Sequence, residues 1–398
     1  MTPAWLQVDE ELAENLVAWR RHLHQYPELS YQEYETTEFI IQRLQFFGIE
    51  VERPTATGAV GLIQGSGPGP TVAIRADIDA LPIHEANTFS FRSRRDGVMH
   101  ACGHDGHTAI LLGVARILSR YRDQWPGRVK LLFQPAEETA PGGAQAFIAA
   151  GVLDDVDCII GLHLSASTPL GKAGIRAGGM LANTGWFEIE IQGRGDLPGF
   201  PHRAVDTAVT VAQVTVNLQT IVSRYTDPVE PVIINVRQLQ AGGPKHFFIP
   251  RRAVLAGTIS SFDDDLQEEL VAAVERVAKH TCGQARAECR VRYYPGLPAL
   301  VNDEKVAAVL AAAARTVLGD DAVIDQPPVL VSDDFAYYCR EVPGGYFFLG
   351  AGDPDNPDRA PHHHPRFDFD ERALPLGVRI MAGAAYRLLH GMEEEIPW

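Results

Sequence analysis

The feature that most constrains this chain is a set of brief apolar runs leading into segments dense in metal-ligating side chains. Four such segments stand out: Cys102-Gly103-His104-Asp105, Pro135-Ala136-Glu137-Glu138, Gly161-Leu162-His163 and His362-His363-His364-Pro365. A brief apolar run bounded by turn signals has the length of a strand covered on both faces. Each segment is therefore expected at the end of a strand, on the rim of a sheet. A thiolate, several imidazoles and carboxylates gathered there make a donor set suited to Zn²⁺, Co²⁺, Ni²⁺ or Mn²⁺.

Periodicity supplies the architecture. Leu12–Tyr26 and Gln32–Phe47 read as helices, the second closed by Gly48, and Thr71–Ala76 as a strand leading into Asp77 and Asp79. His107–Tyr121 has apolar residues at helical spacing, and Val129–Phe133 and Cys158–Leu162 read as further buried strands. Strands alternating with helices predict an α/β domain, a central mixed sheet flanked by helices. From Trp186 the pattern changes to strand, helix, two strands, helix and strand, ending near Tyr293. That is the split βαβ, ferredoxin-like order of a smaller inserted α+β domain. The Pro295, Gly296 and Pro298 cluster marks the return. The expected division is catalytic domain over 1–184, insertion over 185–296 and the remaining catalytic domain over 297–398.

Composition excludes several classes. The formal charge of −16 argues against a nucleic-acid partner. The stretch Met1–Arg20 carries Glu10, Glu11 and Glu14 without an apolar core, so it is not read as a signal peptide. No run of about 18 apolar residues suggests a membrane span. Five cysteines without a pairing pattern fit free thiols in a reducing compartment, and a cytoplasmic location is expected.

Two cations held side by side need more donors than one, with at least one shared. Cys102 as a thiolate is suited to bridging, with His104, His163, His363 and Glu138 completing the set. The Cys-x-His spacing is expected to put both side chains on one side of an extended loop. Asp79 and His107 are read as outer residues that orient imidazoles, with Asp77 beside them. Glu137, next to a ligating carboxylate, is assigned as the base that takes a proton from water and returns it to the leaving nitrogen. Blander readings stand beside these. Cys102 alone reads as a buried small hydrophobe, Glu137-Glu138 as a helix-start pair, and His362 or His364 as the ligand in place of His363.

Together with Arg20-Arg21-His22-Leu23-His24-Gln25-Tyr26-Pro27-Glu28-Leu29-Ser30 and Arg75-Ala76-Asp77-Ile78-Asp79-Ala80-Leu81-Pro82-Ile83, these segments closely resemble the N-acyl-amino-acid amidohydrolases. That family includes hippurate hydrolase and the hydrolases of indole-acetyl amino acids, within the aminoacylase and carboxypeptidase group of metallopeptidases. The resemblance runs from about Leu12 to the final helix. It implies a dinuclear site with Cys102, His104, Glu138, His163 and His363 as ligands, Glu137 as acid/base and Asp79 as the orienting aspartate. The family's ligand lies two places before the proline, which selects His363. It also implies manganese, nickel, cobalt or zinc as the metal, a lid or dimerisation role for the insertion, and a homodimer or homo-oligomer.

The insertion departs from the family pattern. Leu197 stands where a histidine polarises the scissile carbonyl, Phe247 where an asparagine is usual, and Ser260 where a basic residue is usual. Either the substrate is more apolar and lacks a free α-carboxylate, or His202, Lys245 or His246 substitutes. The expected function is hydrolysis of the amide bond of N-acyl amino acids or related conjugates. A metallo-carboxypeptidase or dipeptidase is one alternative, and a metal-binding or interaction protein with impaired catalysis is another.

Overall fold

The computed structural model describes Pro3 and residues 6–243, 247–353 and 359–391. It divides into two compact units. The first comprises Met1–Gly178, Val301–Pro327 and Tyr337–Trp398; the second comprises Gly179–Leu300 and Pro328–Ala336.

The first unit is built on an eight-stranded mixed sheet. Its order is Glu50–Glu52, Ala59–Gln64, Arg128–Gln134, Thr71–Asp77, Cys158–Pro169, Gly344–Gly352, Ala173–Ile175 and Val323–Asp325. The middle pairings are parallel: Thr71–Asp77 runs with both Arg128–Gln134 and Cys158–Pro169, and Gly344–Gly352 runs with Cys158–Pro169. Parallel strands need helical crossovers on the faces, so central strands are wrapped. Every residue of Thr71–Asp77 is buried accordingly, including Arg75 and Asp77.

The helix His104–Arg120 packs against Glu10–Gln25 and Ala373–Leu389. Glu10–Gln25 starts at Asp9, whose side chain accepts the Leu12 N–H at 2.8 Å, and its acidic first turn and basic last turn oppose the helix dipole. It buries Leu12, Leu16, Trp19 and Leu23 along one face. His104–Arg120 is buried on nearly every side, and Gly106 and Gly113 let neighbours approach closely.

The second unit holds a four-stranded antiparallel sheet in the order Glu288–Pro295, Asn183–Gln192, Arg252–Ser261 and Ile233–Ala241. Helices Thr207–Thr220 and Asp264–Gln284 connect these strands in the β-α-β-β-α-β order of the split βαβ motif. Period-two burial along Asn183–Gln192 sends Phe187, Ile189 and Ile191 into the core with Val211, Val214, Leu218, Leu270 and Val274. No helix among the described residues is long and apolar enough to cross a membrane.

Three local expectations are corrected. The third helix starts at His104, not His107, because Gly103 adopts φ 101° and turns the chain directly into it. Cys102 and His104 therefore flank a helix start and do not share an extended loop. Nor do all four ligand-rich segments sit at strand ends. Pro135–Glu138 follows a strand directly, but His163 lies within Cys158–Pro169, and Cys102 and His362–His364 lie in connecting loops.

Candidate metal centre

Within the first unit the separated segments converge. Cys102, His104 and Glu138 each offer a donor atom within 4.8 Å of the others. His163 Nε2 is 3.3 Å from Cys102 Sγ, and His363 Nε2 is 3.1 Å from Glu138 Oε1. Glu137 Oε2 and Glu138 Oε1 each lie 4.0 Å from His104 Nε2. Glu137 and Glu138 occupy bends and not a helix start.

The outer bonds fix which imidazole nitrogens face inward. His104 Nδ1 sits 3.0 Å from the Asp79 carbonyl and 3.2 Å from Asp79 Oδ1, so it carries the proton. His104 Nε2 is left buried without a hydrogen-bond partner. His163 Nδ1 donates to the Leu164 carbonyl at 2.8 Å, which likewise leaves Nε2 with its lone pair. A histidine that ligates a metal presents itself in this way. An orphaned imidazole nitrogen amid sulfur, nitrogen and carboxylate donors is what a thiophilic divalent ion satisfies, so the residues fit such a group.

Other histidines are occupied. His107 Nδ1 meets Asp77 Oδ1 at 2.6 Å and its Nε2 accepts the Leu164 N–H at 2.9 Å, so it supports the site. His362 Nδ1 donates to the Cys102 carbonyl at 3.2 Å and Nε2 accepts the Ala166 N–H at 3.2 Å. His364 Nδ1 accepts the Arg366 N–H at 3.1 Å. His363, with left-handed φ 64°, is the member of the run that turns towards Glu138.

Electrostatics follow from this crowding. Burial alone would raise Asp77, yet His104, His107 and Arg75 hold it well below the usual carboxylate range. Asp79 is also lowered against its burial, by His104, Ser30 and the Glu138 N–H. The two aspartates in turn raise His104 in spite of burial. Burial pushes the Cys102 thiol well up, and Glu137 and Glu138 push it further, against the opposing effect of His104.

The side chains of the Arg20–Ser30 segment have a role that its local sequence does not announce. Arg20 is fully buried and bonds Asp105 at 2.9 Å, Asp368 at 2.7 Å and Glu371 at 3.1 Å. His24 Nδ1 shares Asp105 Oδ2 at 2.8 Å, and Ser30 Oγ donates to Asp79 Oδ2 at 2.7 Å. One signal was available: Arg20 follows Leu16 by one helical turn and precedes Leu23 by another, which puts it on the apolar face.

Residues expected to hold substrate lie in the second unit. Leu197 and Phe247 are exposed, at 46% and 79%, and His202 is exposed in a short turn beside Phe200. Ser260 lies on the strand Arg252–Ser261. Lys245 and His246 fall outside the described residues.

Residues 73–387 match the peptidase family M20/M25/M40. The chain belongs to this family. Among relatives, it is 40% identical over 386 residues to the N-acetyl-L-cysteine deacetylase of Bacillus subtilis, covering 96% of this chain and 90% of that protein. It is 46% identical over 294 residues to the N-acyl-L-amino acid amidohydrolase of Geobacillus stearothermophilus, covering 74% and 79%. The crystal structure of the Bacillus subtilis YXEP protein, described as a dinuclear metal binding peptidase of the M20 family, superimposes with a TM-score of 0.84 at 33% identity. That match covers 96% of this chain and 99% of the other. As an M20 member the chain is a hydrolase, and the mixed sheet with a separate antiparallel sheet is the M20 fold.

Proposed function

We propose that this M20 protein hydrolyses the amide bond of N-acyl amino acids and related conjugates, with Glu137 as general base and then general acid. Cys102, His104, Glu138, His163 and His363 hold two divalent cations, with manganese, zinc, cobalt and nickel as the candidates. One observation carries the reading: a second carboxylate, Glu137, lies as close to His104 as the ligating Glu138 does. Five protein donors exceed the four of a closed tetrahedral site, which favours a pair of ions. Bound cations supply Lewis-acid polarisation of a carbonyl and bring the pKa of water towards ~7.

The chain's own residues do the rest. Glu137, only 11% exposed, accepts a proton from the attacking water as the oxygen–carbon bond forms. It then delivers that proton to the nitrogen as the carbon–nitrogen bond breaks. Asp79 keeps the Nδ1 proton on His104 and grips the Glu138 N–H at 3.1 Å, so one carboxylate fixes two donors. Asp77 does the same for His107, whose Nε2 holds the backbone beside His163.

On the second unit, Leu197 cannot donate to an oxyanion. Leu197, Phe200, Phe247 and Phe248 are all exposed there, which supports an apolar acyl group and a substrate without a free α-carboxylate. His202, Lys245 and His246 are the candidate polar contacts. The edge strand Ile233–Ala241, with Ile233 and Leu239 exposed, and Val209 and Val216 exposed on Thr207–Thr220, support a homodimer through this unit. The five free cysteines support a cytoplasmic location.

The test is Glu137→Gln, assayed with metal stoichiometry. Loss of about 10²–10⁴ in kcat with metal content retained is expected. Undiminished turnover would overturn the assignment. Hippurate, N-acetyl amino acids, their amides and dipeptides compared as substrates then decide whether a free carboxylate is required.

A further inference from the structure

Glu33 stands at the start of the helix Tyr34–Phe46, yet its side chain makes no capping bond to that helix. It reaches a distant part of the chain, where Oε1 accepts the Ala136 N–H at 2.8 Å. Ala136 immediately precedes Glu137, is fully buried and has a left-handed backbone at φ 53°. A residue with a Cβ enters that region against steric cost and stays only where its surroundings hold it. Two bonds do so here. Glu33 takes the N–H, and the Gly143 N–H meets the Ala136 carbonyl at 3.0 Å.

The consequence lies in where the next two side chains go. In extended chain, successive side chains point to opposite faces. Continuing straight on from the strand Arg128–Gln134 would separate Glu137 from Glu138. They instead approach the same atom, His104 Nε2, at equal distance. The far side of this turn is held by the same short loop as Glu33. Ser30 Oγ accepts from Thr139 Oγ1 at 3.0 Å while donating to Asp79.

We propose that Glu33 is a positioning residue for hydrolysis, its carboxyl oxygen holding Ala136 left-handed so that Glu137 and Glu138 converge. This rests on the reading of Glu137 as the base. The role requires an acceptor oxygen and no charge. Burial pushes the Glu33 carboxyl up to about 7, so near neutrality a large share of it is already protonated.

The experiment compares Glu33→Leu, which has similar size and no acceptor, with Glu33→Gln, which keeps one. Glu33→Leu is expected to lower kcat about 10²-fold with little change in KM, as a small displacement of a reacting group does. It should also shift the visible absorption of the Co²⁺-loaded protein. Glu33→Gln should recover both kcat and the spectrum. Should the leucine variant fail to fold, Glu33→Asp, too short to reach Ala136, replaces it with the same expected loss. Wild-type kcat in the leucine variant, or equal losses in leucine and glutamine variants, overturns the proposal. Glu137→Gln run in parallel separates the two ideas. If it loses turnover while Glu33→Leu does not, only the positioning role fails; if it retains turnover, the catalytic reading fails first.

Discussion

Removing the Arg20 guanidinium gives a sharp test of how the site is supported. Arg20→Met leaves a side chain of comparable length in a fully buried position, so the perturbation is mainly electrostatic. Three carboxylates lose a partner, and they are not equivalent. The Asp368 and Glu371 side chains are 41% and 18% exposed and recover part of their solvation from water. Asp105 is 0% exposed and cannot. Arg20 and His24 both hold Asp105 below the ordinary carboxylate range against its burial, so losing Arg20 strands most of that charge. Breaking a buried pair by deleting one partner costs roughly 3–5 kcal/mol. Because His24 still reaches Asp105 Oδ2 at 2.8 Å, the lower end, about 3 kcal/mol, is expected. The Phe91 and Phe369 rings beneath the guanidinium, at 4.8 and 4.4 Å, lose a cation–π contact as well.

Urea unfolding followed by far-UV circular dichroism, with a chelator present so that metal binding adds nothing to stability, reads the change as a lower midpoint at constant slope. Because Arg20 grips the residue after His104 and the segment after His363, half-saturation for Mn²⁺ should also rise about 10–100-fold. Arg20→Lys keeps the charge without the fork and should fall between wild type and methionine. A loss under about 1 kcal/mol in Arg20→Met, well short of the cost of a broken buried pair, would refute the reasoning.

Other outcomes follow from the same geometry. Asp79→Asn removes the carboxylate that orients His104 and grips Glu138, so metal affinity should fall about 10–100-fold, read by competition with a chelating dye. Gly106→Ala would place a Cβ 2.5 Å from Leu164 Cδ1 and 2.6 Å from Phe369 Cζ, and thermal unfolding should show a loss of about 1–3 kcal/mol. Glu33 gives a pH dependence. Burial raises its carboxyl from 4.5 to about 7, so between those values the folded chain binds more protons than the unfolded one. The stability it contributes is fullest below pH 4.5 and is lost as pH rises through about 7, by about 3 kcal/mol at most. Unfolding free energies of Glu33→Gln across that window should be correspondingly flatter, and an unchanged slope would contradict the assignment.

The parts of this protein that were legible in its sequence share a local cause. Thr71–Asp77 declares itself as a brief apolar run because both its faces are buried, and helices such as Glu10–Gln25 by the helical spacing of one buried face. Cys102, His104, Glu138, His163 and His363 stand out by residue type, and the fold brings their donor atoms together. Short strands with little period to show, such as Glu50–Glu52 and Ala173–Ile175, gave no signal. Neither did contacts that cross the chain: Glu33 to Ala136, Ser30 to Asp79 and Arg20 to Asp368 leave no mark near either partner. The helix start at His104 turns on one glycine dihedral, and the approach of His363 to Glu138 goes with one left-handed residue. Arg20 is the instructive exception. An arginine on a helix normally reads as solvent-facing, but the spacing Leu16, Arg20, Leu23 places this one on the buried stripe. A buried guanidinium must meet carboxylates, and the sequence holds acidic residues in or beside two of its donor-rich segments, at Asp105 and Asp368. The period of one helix, joined to the cost of burying a charge, therefore predicts which distant segments that helix must hold together.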